Sequence, residues 1–146
     1  MSSNLENLYR QVIMDHYKNP YNKGLVQDPT YFTVHLHNPS CGDDMTVQLK
    51  EENGIIQDIR HQGTGCSICC SSASVMSITL KNHTKQEGLD TIQAYYKMLT
   101  NEAYDQNILK GDALAYHGVA QFPARIKCAT LAWKAAEQAL LHNKEE

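Results

Sequence analysis

The sequence predicts an α+β fold, a three-stranded antiparallel meander sheet packed against an N-terminal helix and a C-terminal set of helices. Three patterns predict it. Apolar residues recur at helical spacing before Lys18, alternate with a period of two from Tyr31 to His61, and return to helical spacing from Ile68 onward. With 146 residues the chain can bury its apolar surface around its own core, so residues 1–146 are expected to form a single domain.

In the first helix Leu5, Leu8, Tyr9, Val12, Ile13, His16 and Tyr17 share one face. Ser3 with Glu6 forms a capping-box pattern at its start, and Asn19-Pro20 stops it. His16 continues the apolar stripe and is expected to be packed and hydrogen-bonded. Phe32, Val34 and Leu36, then Met45, Val47 and Leu49, alternate with polar neighbours on two strands, and Asn53-Gly54 is a two-residue hairpin signal before a third strand from Ile55 to His61. One sheet face is expected to be polar, with His35, His37 and His61 solvated on their strands.

Gly63-Thr64-Gly65-Cys66 reads as a strand-to-helix turn, followed by a helix from Ile68 to Leu80 rich in Ser, Cys and Ala. Cys69 shares a face with Ala73, Met76 and Leu80, which makes it a small core residue, and Cys70 is expected to be a structural thiol as well. The glycines are not followed by Lys-Ser/Thr, which excludes a phosphate-binding P-loop. Thr84 with Glu87 caps the next helix, carrying Leu89, Ile92, Tyr96 and Leu99. Residues 101–121 are expected to be an irregular segment with a short helix, and Asp105, Asp112 and His117 to be solvated there. Pro123 opens the last helix, with Ile126, Thr130, Trp133 and Leu140 on one face and Cys128 expected near its first turn.

Charge and composition narrow the function classes. A net charge of -3, from 13 basic and 16 acidic residues without a basic run, disfavours nucleic acid as a partner. No apolar run reaches the length of a membrane span, and the opening residues lack a basic segment followed by an apolar one, so a cytoplasmic protein is expected. Five cysteines, an odd number, point to metal binding or thiol chemistry rather than a disulfide framework.

Asn38-Pro39-Ser40-Cys41-Gly42-Asp43-Asp44 is a turn that places a thiol and two carboxylates between strands, where a rigid scaffold can aim reactive side chains outward. Cys66 and Cys128 stand at element boundaries further on. Cys66 is expected beside the unpaired N–H groups at a helix start, which favour thiolate over thiol. Cys41, Asp43, Cys66 and Cys128 together supply three thiolates and a carboxylate, a tetrahedral donor set for Zn²⁺. With the ion their net charge is -2, and the nearby Arg125 and Lys127 are candidates for balancing it.

Cys41-Gly42-Asp43, Gly63-Thr64-Gly65-Cys66 and Phe122-Pro123-Ala124-Arg125-Ile126-Lys127-Cys128-Ala129, with the order helix, meander, helices, resemble the IscU/NifU N-terminal-like iron–sulfur cluster assembly family over nearly the whole chain. The SufU-type branch is the more similar one. Lys127 stands where IscU-type members carry a histidine, and residues 101–121 look like an added segment. A protonated lysine is no metal ligand, which weakens a scaffold role.

The resemblance implies two mechanisms. In the SufU-like one, zinc holds the thiolates, a SufS-type cysteine desulfurase displaces one ligand, and Cys41 accepts the desulfurase's persulfide sulfur for downstream assembly or acceptor proteins; the mobile Gly42 and the hard ligand Asp43 make Cys41 the nucleophile of choice. In the IscU-like alternative the same side chains bind iron and sulfide, and a labile [2Fe-2S] cluster is assembled and passed to apo-proteins. A purely structural zinc domain is disfavoured because the chain can fold around its own core. A zinc hydrolase is disfavoured because three thiolates make a poor Lewis acid.

Overall fold

Two tight connections set the sheet. The computed structural model describes residues 2–39 and 42–145, the side chains of residues 2, 3 and 143–145 excepted. Its elements are α1 (Ser2–Lys18), β1 (Phe32–Asn38), β2 (Asp43–Glu52), β3 (Ile55–Thr64), α2 (Ser67–Leu80), α3 (Lys85–Leu99), a 3₁₀-helix (Gly111–Gln121) and α4 (Pro123–Glu145). Asn53 and Gly54 both take left-handed backbone angles, φ 57° and 77°, as a two-residue hairpin turn requires. The other connection runs from Asn38 to Asp43 and is closed by a hydrogen bond from the Gly42 N–H to the Asn38 carbonyl, 2.9 Å. The three strands pair antiparallel in the order β1–β2–β3, with Val34 opposite Val47 and Val47 opposite His61.

Met45, Val47 and Leu49 point from the central strand into the core and are fully buried. The opposite face is less polar than its sequence suggests. Gln48 is buried there because its amide both donates to the Val26 carbonyl, 2.9 Å, and accepts from the Val26 N–H, 2.8 Å, folding the segment after α1 back over the sheet. His61, paired with Val47 and so on the core face, is covered by residues 21–24 of the same segment, whereas His35 and His37 on the opposite face are exposed, as expected, and bracket Asp44 at 2.8 and 3.7 Å.

The serines of α2 explain how a polar helix can be central. Ser71, Ser72, Ser74 and Ser77 are all buried, and each has a partner. Ser72 accepts from the Trp133 indole N–H, 2.9 Å, and donates to the Ala129 carbonyl, 2.6 Å; Tyr116 donates to Ser71, 2.7 Å. Tyr95 stacks on Trp133 with ring centroids 3.8 Å apart, so α2, α3 and α4 meet around one aromatic pair. Small side chains let the helices approach, and their hydroxyls satisfy the polar atoms brought in. The α3 capping box is present, the Glu87 N–H donating to Thr84 at 3.0 Å and the Thr84 N–H to Glu87 at 2.8 Å.

Two expectations need correction. Leu5 and Leu8 of α1 are 49% and 58% exposed, so the packed stripe begins only at Tyr9; the Ser3 cap lies outside the described side chains. Asp112 is not simply solvated: residues 111–121 form a 3₁₀-helix, and Asp112 accepts from His16 Nε2 at 2.7 Å. His16 Nδ1 meets Ser74 Oγ at 2.7 Å, which joins α1, α2 and the 3₁₀-helix through one imidazole. Asp105 and His117 are exposed as expected. His16→Ala is expected to cost about 2–3 kcal/mol, since it leaves polar partners unmet at a buried position. A lower urea midpoint at unchanged slope would show this. No helix among the described residues is long and apolar enough to cross a membrane.

Candidate metal centre

Three of the four expected ligands converge. Asp43 opens β2, Cys66 caps α2, and Cys128 lies in the second turn of α4. One ligand atom from each lies within 4.8 Å of the others. A tetrahedral ion with Zn–S bonds of about 2.3 Å holds its donors about 3.8 Å apart, so small side-chain adjustments close this set around a metal. Among the described residues no other such cluster occurs. Cys41, the fourth expected ligand and the expected nucleophile, lies outside the described residues together with Ser40.

Each side chain is held by its own backbone context. Asp43 is fully buried, and its Oδ1 accepts from the Cys66 N–H at 3.1 Å, so the carboxylate also satisfies a backbone donor at the start of α2. Cys66 has an extended backbone, φ -72° and ψ 169°, and is half-buried with its thiol at the helix start, as expected. Cys128 differs from expectation. It sits past the first turn, buried, with its thiol directed to the Ala124 carbonyl at 3.9 Å, so burial among neighbours and not a helix terminus defines its setting.

The turn glycines have a steric reason that the sequence reading missed. A Cβ at Gly65 would stand 2.4 Å from Asp43 Oδ1, and one at Gly63 would stand 2.0 Å from the Asp44 carbonyl oxygen. The strand-to-helix turn passes so close to β2 that only glycine fits. Gly-x-Gly directly before a candidate ligand was the available signal.

Arg125 is exposed and interacts with the thiols. The Cys66 thiolate, then hydrogen bonding and charge at Cys128, lift its guanidinium further above arginine's usual pKa. Arg125 is thus placed to balance the negative cluster. Lys127 is also exposed, on α4 beside Cys128 in sequence.

Cys69 is buried in the core as expected. Cys70, expected to be a structural thiol, is less buried than Cys69. It is half-buried and, with Tyr17, Lys23, His61, Thr64 and Gly65, lines a cavity of about 460 Å³. Its thiol points to the Gly65 carbonyl, 3.7 Å away, and burial, then the neighbouring Cys66, push its pKa up. His61 was expected to be solvated but is only 3% exposed; burial lowers its pKa, and its Nε2–H donates to the Tyr21 carbonyl at 2.7 Å.

Comparison with known proteins gives concordant matches. The family model described as NifU-like N terminal domain matches residues 8–145. A Bacillus subtilis protein named zinc-dependent sulfurtransferase SufU is 45% identical over 145 residues, covering 99% of this chain and 96% of that protein. A Streptococcus pyogenes protein named iron–sulfur cluster assembly scaffold protein IscU is 36% identical, covering 94% of this chain and 86% of its own length. The crystal structure of a NifU-like protein (N-terminal) from Brucella abortus superposes with a TM-score of 0.83 at 23% identity, covering 97% of this chain and 98% of that one, a likeness of fold.

Proposed function

The chain belongs to the NifU-like N terminal domain family, and on that premise we propose that it is a zinc-dependent sulfur acceptor in iron–sulfur cluster assembly. The observation that carries this reading is the convergence of Asp43, Cys66 and Cys128 from separate elements to within 4.8 Å, in a chain 45% identical to a protein named a zinc-dependent sulfurtransferase. Asp43, Cys66 and Cys128 are the residues that would hold the ion, with Cys41, joined to Asp43 through Gly42, as the fourth ligand. Bound zinc supplies charge that keeps the thiols deprotonated and brings no redox chemistry of its own.

The rest is done by the chain. Cys41 accepts sulfur from a SufS-type cysteine desulfurase: its thiolate attacks the outer sulfur of the desulfurase persulfide, a new S–S bond forms at Cys41, the desulfurase S–S bond breaks, and the desulfurase cysteine leaves as a thiolate. Gly42, at φ 73°, supplies backbone freedom beside the nucleophile. Arg125 offsets the charge at Cys66 and Cys128, while Lys127 adds a second exposed cation. The sulfur then passes to downstream assembly or acceptor proteins.

The scaffold reading, with a labile [2Fe-2S] cluster on the same side chains, is favoured by the 36% identity to a protein named a scaffold. Incubation with desulfurase and cysteine, followed by mass spectrometry, tests the accepting function. Wild type is expected to gain a sulfur at Cys41; Cys41→Ala should carry none at that position and lose stimulation of the desulfurase. Full stimulation by Cys41→Ala would overturn the proposal.

A further inference from the structure

We propose that His35, His37 and Asp44 form a second, solvent-facing site that takes a borderline divalent metal ion such as Zn²⁺. The site lies on the outer face of the sheet, apart from the candidate centre, and does not depend on the sulfur-accepting function proposed above. Its basis is strand register. His35 and His37 stand two residues apart on β1 and so share a face, and Asp44 on β2 lies directly opposite His37 and diagonal to His35, which pairs with Thr46. Asp43, one residue earlier, is turned to the buried side, so the first two residues of β2 serve opposite faces.

Both imidazoles reach the one carboxylate. His35 Nε2–H donates to Asp44 Oδ1 and Oδ2 at 2.9 and 2.8 Å, and His37 Nδ1 lies 3.7 Å from Oδ2. A tetrahedral ion with bonds of about 2.1 Å to nitrogen and oxygen holds its donors about 3.4 Å apart, a spacing between those two separations. Unlike the donors of the candidate centre, these three are not all within 4.8 Å of one another, so the two rings must draw together around the ion. Rotation of surface side chains is enough for this. His35 is 55% exposed, His37 52% and Asp44 40%, and their movement disturbs no core packing.

Charge and donor chemistry favour a cation here. Among the described residues Asp44 has these two histidines within ion-pair distance and no lysine or arginine. Its partner on β3, Thr64, and the adjacent pair Thr46 and Gln62 bring no positive charge. Two imidazoles with one carboxylate are ligands for borderline ions, and affinity rises along the first transition row toward copper and zinc. The ion takes the place of the His35 Nε2 proton, which is released to solvent. Three exposed ligands leave a position for water, so this site binds more weakly than one built of three thiolates and a carboxylate.

The test titrates Zn²⁺ into the full chain after dialysis has removed loosely held metal, reading binding by calorimetry and the histidine ring nitrogens by NMR. Wild type is expected to take one further zinc per chain, with shifts at His35 Nε2 and His37 Nδ1 and none at the exposed His117. His35→Gln combined with His37→Gln should abolish this further binding and leave the metal retained through dialysis unchanged. Asp44→Asn should weaken it by about tenfold or more, since it alters a ligand itself, and His117→Gln should leave it intact. No further zinc in wild type, or further zinc that persists in the double histidine variant, overturns the proposal. Further zinc lost from His117→Gln marks adventitious surface binding and overturns it as well. A chain that retains no zinc through dialysis counts against the zinc-dependent reading of the candidate centre, while the His35 and His37 shifts still decide this one.

Discussion

Asp43→Ala is expected to lower zinc affinity by more than the roughly 10–100-fold that loss of an outer-shell partner costs, because it removes a ligand outright. Asp43 is fully buried, and its carboxylate also receives the Cys66 N–H at 3.1 Å. Removing it therefore takes one donor from the metal and unpairs the backbone that aims a second. Cys70→Ala is the matched control, since Cys70 lies outside the converging set and should leave the metal in place. Titration against a chromogenic chelator compares the two. Zinc lost from Cys70→Ala and kept by Asp43→Ala would show the ligand assignment to be wrong.

Gly65→Ala tests the same geometry by steric means. Its Cβ would come within 2.4 Å of Asp43 Oδ1 and 3.0 Å of Asp43 Cγ, so the carboxylate must swing away or the turn must shift Cys66. Either displacement spoils the donor set. Zinc affinity should fall by about 10–100-fold, comparable to loss of an outer-shell partner, while overpacking lowers stability by about 1–3 kcal/mol and leaves the fold intact. A Cβ at Gly118 meets nothing within 4 Å, so Gly118→Ala should change neither zinc binding nor the circular dichroism spectrum. Equal zinc affinity in Gly65→Ala and wild type would contradict the described position of Asp43.

The elements that local chemistry dictates were legible in the sequence. Asn53-Gly54 has few conformations other than the hairpin it makes, and Thr84 with Glu87 forms the reciprocal cap its spacing announces. The candidate metal centre was legible as residue types near turns and element boundaries: Asp43, Cys66 and Cys128 converge, while Cys41 lies outside the described residues. What was not legible depends on chain segments that return from far away. His61 shares a strand face with buried Ile59, a signal available in the alternation, but its burial also needs residues 22–24, whose Gly24 N–H donates to the His61 carbonyl at 2.9 Å. Asp112 reads as a surface residue until α1 brings His16 to it across 96 positions. Leu5 and Leu8 fit an apolar stripe by spacing, yet the core offers α1 no partner before Tyr9. Periodicity tells which face of a helix can be buried; only the packing decides how much of its length is.

Metal and acid-labile sulfide analysis of the full chain, purified without added metal, tests the zinc-dependent reading most directly. The expected result is one zinc per chain that excess iron does not displace, in colourless protein free of labile sulfide. A brown, sulfide-containing protein that passes its cluster to an apo-protein would contradict it and establish the scaffold function on the same side chains.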